Sequence, residues 1–291
     1  MRKSKHLILS SFYFDFNDDL SKITNVKKSF KNQNILDLFR FDNLKNIKEE
    51  QFWLYSLDFV YLPSNILSIE PMAFMENKIK YINLANYKNL KIINDGVLAQ
   101  NKIKYFKLPK NIENIKNHAF YDNEINSIDL SDYKKLKIIS MRSFFKNNIK
   151  YLKLPENIEI INEDAFSENY IQELNLSNCI NLKIINSYAF KKNQIKYLKL
   201  PQNIIAIYSG AFMTNQIEIL DLSEYLNLKG IGDDAFLDNP FKEIKILDNI
   251  KIEYDYGRDD LWNNFIIFYN DNDKKSGNYK LENDQWQWYP L

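Results

Sequence analysis

The sequence predicts an α/β solenoid, a stack of coils with one parallel β-strand per coil, capped at both ends. Two observations carry this prediction. Four of the seven prolines stand 46 residues apart, at Pro63, Pro109, Pro155 and Pro201. Each 46-residue unit also divides into two similar halves of 22 and 24 residues. A fixed period of this length is the signature of a repeat architecture in which every coil packs on its neighbours.

The strand of each coil is indicated by the pattern apolar-x-x-apolar-x-Leu, for instance at residues 149–154. Alternation of apolar and polar residues is typical of a strand with one buried face. In the 22-residue halves, which we call short, Pro follows the final Leu of this pattern. In the 24-residue halves, which we call long, Ser or Ala follows it. Residues 59–242 contain eight halves, which predict eight parallel strands.

A small residue followed by an aromatic recurs after a second apolar pair, as at Ala165-Phe166, and predicts a short helical turn or irregular convex segment whose Phe lies in the core. An asparagine stands three residues after this aromatic position in all eight halves. We interpret this column as structural, because an amide donates and accepts at once and can satisfy backbone groups at a corner. Its members are Asn77, Asn101, Asn123, Asn147, Asn169, Asn193, Asn215 and Asn239.

The order of these parts resembles the BspA-like family of bacterial leucine-rich repeats, known mainly as surface antigens. Residues 231–236 match the family's Ile-Gly-x-x-Ala-Phe completely, whereas the other halves lack that glycine and carry Asn where many members have Cys. The resemblance covers at least residues 59–250. It implies a leucine-rich-repeat solenoid and a surface or secreted, adhesin-like protein that binds a host or matrix protein.

The ends of a solenoid need caps over the exposed core. We expect an N-terminal cap at 1–34, the solenoid at 35–250 and an aromatic C-terminal cap at 251–291. This last segment contains Trp262, Trp286 and Trp288, helical apolar spacing at 260–269, and a stretch at 275–286 that resembles a hairpin found at the end of some family members. A glycan-binding aromatic site is the alternative interpretation of these tryptophans.

The sequence contains no pattern typical of an enzyme. It has no metalloprotease, nucleophile-elbow or phosphate-loop motif, and it predicts no catalytic residue, metal site or cofactor. We interpret His118 as a turn residue. We interpret Cys179 as a packed small apolar residue in a position that carries tyrosine in other long halves.

Overall charge and hydropathy narrow the classes of partner. The net charge of +1 gives no basis for binding nucleic acid. No apolar run approaches the roughly 18 residues of a membrane span. The N-terminus lacks a convincing signal peptide, so a cytoplasmic location is the alternative to the cell surface.

The concave face of the solenoid is the predicted binding surface, since repeat proteins use this surface for recognition. Three short halves repeat the pattern Lys-Tyr-x-Lys at the outward strand positions, whereas the long halves that alternate with them carry Asn, Ser, Gln, Asp, Glu and one Ile there. An acidic protein partner or a sulfated glycan suits this face. The predicted site residues are Lys104, Tyr105, Lys107, Lys150, Tyr151, Lys153, Lys196, Tyr197 and Lys199.

Two alternatives stay open. Lysines and acids alternate along the strands, at Lys107, Asp129 and Lys153 for example, which would stabilise a scaffold without any ligand. The chain could also serve as an intracellular scaffold for a protein partner. The sequence leaves the oligomeric state undetermined.

Overall fold

The computed structural model describes residues 6–8, 35–39, 41–253 and 259–291. Within the predicted N-terminal cap, only the strand at 6–8 belongs to these residues. The predicted solenoid is confirmed, with one parallel strand in each coil on the concave face. These strands are β1 (His6–Ile8), β2 (Ile35–Asp37), β4 (Phe59–Tyr61), β6 (Tyr81–Asn83), β8 (Tyr105–Lys107), β10 (Ser127–Asp129), β12 (Tyr151–Lys153), β14 (Glu173–Asn175), β16 (Tyr197–Lys199), β18 (Ile219–Asp221) and β20 (Glu243–Ile246).

A second series of short parallel strands, which the sequence analysis did not predict, lies on another side of the coils. Each has two residues, the second of which is an isoleucine that points into the core. Eight of them, from the strand at Ile92–Ile93 to the strand at Lys251–Ile252, form one continuous sheet. The series comprises β3 (Asn46–Ile47), β5 (Ser68–Ile69), β7 (Ile92–Ile93), β9 (Asn114–Ile115), β11 (Ile138–Ile139), β13 (Ile160–Ile161), β15 (Ile184–Ile185), β17 (Ala206–Ile207), β19 (Gly230–Ile231) and β21 (Lys251–Ile252).

Concave strands from β6 onward pair in twos, each long half with the short half that follows it. In a paired coil the backbone N–H of Leu130 donates to the carbonyl of Lys153 at 2.8 Å. At the junction of β8 and β10, which lies between pairs, a tyrosine hydroxyl takes this role. The hydroxyl of Tyr133 accepts from the N–H of Leu108 at 3.3 Å and lies 3.4 Å from the Leu108 carbonyl oxygen. A tyrosine hydroxyl therefore satisfies backbone groups where the strand ladder is interrupted.

Stacked phenylalanines form the centre of the core. The rings of Phe144 and Phe166 lie 5.5 Å apart with an interplanar angle of 1°. The stack runs without interruption from Phe120 to Phe236. It closes against Trp262, whose ring lies 5.2 Å from that of Phe236. The segments that carry these rings are turns, so the convex segments are irregular within the described repeats.

Two residues of each turn segment adopt left-handed backbone conformations. In one coil they are His118 (φ 57°) and Asp122 (φ 51°), and in a later coil Gly210 (φ 61°) and Thr214 (φ 57°). This conformation is strained for residues other than glycine. Hydrogen bonds between coils hold it, since the N–H of His118 donates to the carbonyl of Met141 at 3.0 Å.

The C-terminal segment contains α1 (Leu261–Asp271) and a hairpin of β22 (Gly277–Glu282) and β23 (Gln285–Tyr289). The carboxylate of Asp260 caps α1 by accepting from the N–H of Asn263 at 2.9 Å. β22 pairs antiparallel with β20, which extends the concave sheet beyond the last repeat. α1 and the hairpin enclose Phe265, Tyr279 and Trp286 against the end of the core.

Candidate functional site

The nine predicted site residues lie exposed on one surface, which we call the concave face. Tyr105 and Lys107 are the outward residues of β8, with Phe106 between them turned toward the core. Lys104 precedes the strand and is exposed as well. The same arrangement repeats in β12 and β16, because the strand period of two directs alternate side chains to opposite faces. The structure thus places all nine side chains on the surface where the sequence predicts them.

The lysines of this face differ in their ion pairs. The eight concave strands with even numbers from β6 to β20, each with the residue before it, carry nine lysines and five acidic residues at outward positions. Four of these lysines lie near a carboxylate: Lys80 with Asp58, Lys104 with Glu124, Lys242 with Glu218, and Lys245 with Asp221. The other five form no ion pair with any described residue. They are Lys107, Lys150, Lys153, Lys196 and Lys199.

The neighbouring acids have other partners. In the pairing of β10 with β12, Asp129 stands opposite Lys153. Its carboxylate instead accepts from the hydroxyl of Ser131 at 2.6 Å and from the Ser131 N–H at 2.9 Å. These bonds, foremost that of the hydroxyl, and the charge of Lys153 lower the pKa of Asp129 below its usual range. Lys153 and Asp129 therefore act on one another through their charges but form no direct ion pair.

Tyrosine side chains are the second feature of the concave face. Tyr105, Tyr151 and Tyr197 have 58%, 52% and 71% of their surface exposed. Three further exposed aromatic residues extend this surface toward the N-terminus and were not among the predicted site residues: Phe59, Tyr61 and Tyr81. Their equivalent strand positions are the signal that could have identified them. Exposed tyrosines are suited to recognition, since they bury area at low entropic cost and keep a hydroxyl.

An open depression of about 620 Å³ lies over the C-terminal part of this face. Tyr197 projects beside it, and the neutral amide of Asn175 separates Lys153 from Lys199 along the row of strand ends. The depression has a mixed polar and apolar lining. Its residues are Glu173, Leu174, Asn175, Lys196, Tyr197, Leu198, Lys199, Gln216, Glu218, Ile219 and Asp221.

Cys179 and His118, the two side chains best suited to nucleophilic or acid–base chemistry, lie outside the concave face. Cys179 is buried, and burial raises the pKa of its thiol to about 11, which disfavours the reactive thiolate. Its sulfur lies 3.7 Å from the carbonyl oxygen of Pro155, in the position that tyrosines occupy in other long halves. His118 is half-buried beside Tyr121 in a turn, and burial lowers its pKa. Neither side chain reaches the concave face.

The tryptophans of the C-terminal segment divide between core and surface. Trp262 and Trp286 are buried, and the first packs on the last phenylalanine of the stack. Trp288 is partly exposed, and its indole N–H donates to the carbonyl of Ser276 at 3.2 Å. Closure of the core accounts for the two buried rings without a ligand.

The described residues contain neither a membrane-spanning helix nor a cluster of metal ligands. Their single helix, α1, has 11 residues, well short of the roughly 20 that cross a bilayer. Within the same residues, no three His, Cys, Asp or Glu side chains converge as metal ligands.

Comparison with known families identifies the repeat. The description "BspA type Leucine rich repeat region" matches six copies over residues 21–137 and 137–256. The chain belongs to the BspA-type leucine-rich repeat family. Leucine-rich repeats form a general protein-interaction module, and their family is typically one of binding proteins without enzymatic activity.

A solved structure with a TM-score above 0.5 supports the same fold. A leucine-rich repeat protein from Bacteroides ovatus is similar over 73% of this chain and 56% of its own, with a TM-score of 0.59 and 16% identity. The chain therefore spans just over half of that protein's length. A leucine-rich cell surface protein from Faecalibacterium prausnitzii is similar over 80% of this chain and 76% of its own, with a TM-score of 0.46 and 15% identity. A search of curated proteins finds no match.

Proposed function

We propose that this chain is a non-enzymatic, adhesin-like recognition module that binds an acidic region of a host or matrix protein through its concave face. The observation that carries the proposal is the group of five lysines without ion pairs, interspersed with exposed tyrosines. Ammonium groups without internal partners are available to carboxylates of a ligand. Tyrosine and well-placed cations are typical of binding surfaces.

Electrostatics would steer the partner and select it, whereas the tyrosines would supply buried area. Charge complementarity raises association rates and rejects partners of like charge. Screening by salt weakens such attraction because the Debye length falls from about 10 Å at 0.1 M to about 3 Å at 1 M. Binding to the concave face should therefore weaken steadily as salt is added.

Charge reversal at the two central coils tests the site. Lys150→Glu with Lys196→Glu should reduce capture of a matrix-protein panel at least ten-fold while the circular dichroism spectrum stays unchanged. Lys183→Glu with Lys229→Glu is the matched control, because these exposed lysines also lack ion pairs in the described structure but precede the strands of the second sheet. Equal capture by both double variants would remove the concave face from consideration.

The location is tested separately by protease treatment of intact native cells. The proposal expects this protein to be cut while a cytoplasmic control protein survives. Survival of both would favour an intracellular scaffold, and the search for a partner would then move to cell lysate. This experiment leaves the concave-face assignment untouched, since either location permits a protein ligand.

A further inference from the structure

The spacing of the unpaired lysines specifies the kind of ligand, an inference that rests on the proposed function. Lys153 and Lys199 occupy equivalent positions two coils apart, separated by the neutral Asn175. The N–H of Tyr170 donates to the carbonyl of Ile149 and joins the coils of β12 and β14, and β14 pairs with β16. At the usual strand spacing of about 4.8 Å per coil, the two lysines are separated by roughly 9.6 Å along the solenoid axis. Lys150 and Lys196 repeat the same spacing one row away, with Gln172 between them.

Tyrosines lie between these two rows of lysine. Tyr151 and Tyr197 are both more than half exposed, and they share the two-coil spacing. A ligand that runs along the axis over the tyrosines would have a row of ammonium groups on each side. Negative charges on such a ligand match the lysines when they recur every ~9.6 Å.

Backbone geometry decides which peptide meets this requirement. A polyproline II helix has three residues per turn and rises about 3.1 Å per residue, so every third residue returns to one side after ~9.3 Å. An extended strand returns to one side every second residue, after about 6.6 Å, and falls out of phase with the lysines. Proline rings also pack on aromatic side chains in the grooves that recognise this helix.

We propose that the concave face binds an acidic polyproline II segment whose carboxylates recur every third residue. Carboxylates i and i+3 would pair with Lys153 and Lys199, while the intervening residues pack on Tyr151 and Tyr197. Asp129 and Asp221 each place a negative charge one coil beyond these lysines. Glu173 lies exposed between Tyr151 and Tyr197, so the ligand residues that pass over it must be uncharged, as they are between carboxylates i and i+3.

Two peptides of the same composition test this proposal by fluorescence anisotropy against the intact chain. The first is Glu-Pro-Pro-Glu-Pro-Pro-Glu, and the second is Pro-Glu-Glu-Glu-Pro-Pro-Pro. Exposed ion pairs are individually weak, so the phased peptide should bind roughly three- to ten-fold more tightly. The variant Lys153→Gln with Lys199→Gln should abolish this preference, whereas Lys183→Gln with Lys229→Gln should retain it.

The outcomes separate this inference from the proposed function. Equal affinity of the two peptides for the unmodified chain would overturn the spacing claim, although a salt-sensitive loss in the Lys153 and Lys199 variant would still support an acidic ligand. No binding of either peptide at about 1 mM would overturn the peptide inference, while capture of a matrix protein would remain a separate result. Stronger binding of a sulfated oligosaccharide than of the phased peptide would assign the face to a glycan instead.

Discussion

The column of buried asparagines, which we call the asparagine corner, and the concave face use polar side chains in opposite ways. At the corner, the Oδ1 of Asn147 accepts from the N–H of Ile125 at 3.1 Å, and its Nδ2 donates to the carbonyl of Phe120 at 2.9 Å. The same residue type recurs in all eight halves of residues 59–242, where it is buried. On the concave face residue types vary from coil to coil, and five lysines are exposed without ion pairs.

This difference separates scaffold from recognition. A position that must complete the hydrogen bonds of every coil has little freedom to change, because an unsatisfied buried polar group is costly. A position that faces solvent can change without loss of stability. The comparison predicts large stability effects of substitutions at the asparagine corner. It predicts smaller effects at buried positions where one coil departs from the usual residue type, and almost none at the lysines without ion pairs.

The largest effect is expected at the corner itself. Asn147→Ala should lower the free energy of unfolding by about 3 kcal/mol, because the backbone N–H of Ile125 and several carbonyls lose their buried partner. Urea denaturation followed by circular dichroism measures the change. Asn148→Ala is the control, since this adjacent asparagine is exposed and should cost less than about 0.5 kcal/mol. Similar losses for both variants would contradict a special role of the column.

A smaller effect, in the stabilising direction, is expected at Ser143. This residue replaces the alanine of the column that precedes the stacked rings, and its buried hydroxyl has no partner among the described residues. Ser143→Ala should raise the free energy of unfolding by about 1 kcal/mol, since it removes an unsatisfied polar group without leaving a large cavity. The exposed Ser64 provides the control, and Ser64→Ala should leave the urea midpoint unchanged. A destabilised Ser143→Ala protein would show that the hydroxyl is bonded.

Cys179 should respond by a similar or slightly smaller amount. A tyrosine there would place its hydroxyl near the backbone of Leu154, as Tyr225 does when it accepts from the N–H of Leu200 at 3.0 Å. Cys179→Tyr should add about 0.5–1.5 kcal/mol, the net contribution of one hydrogen bond. Cys179→Phe carries the same ring without the hydroxyl, so the difference between the two thermal melts isolates the bond. If the phenylalanine variant is equally stable, the hydroxyl has no role at this junction.

The sequence predicts the features that depend on side-chain type. The proline period identifies the coils, and the apolar alternation locates strands such as β12. The role of the asparagine column follows from amide chemistry and is confirmed by the bonds of Asn147. The exposure of Tyr151 and Lys153 follows from the strand period of two.

Other features depend on the backbone or on neighbouring coils, and the sequence does not reveal them. His118, Arg142 and Tyr188 share a left-handed conformation but no chemical property, because hydrogen bonds between coils impose it. The second strand of each coil has only two residues, too few for a recognisable alternation. Whether a lysine forms an ion pair depends on where its long, flexible side chain lies. The lysines without ion pairs could therefore be identified only in the structure.

The most direct test of this division between scaffold and recognition is the stability of a protein with Lys150, Lys153, Lys196 and Lys199 all changed to Gln. Because these lysines have no ion pair in the described structure, the account predicts a free energy of unfolding within about 0.5 kcal/mol of the unmodified chain. Urea denaturation at low and high salt measures it. A loss of more than about 2 kcal/mol at low salt would contradict the account and make the concave lysines part of the scaffold.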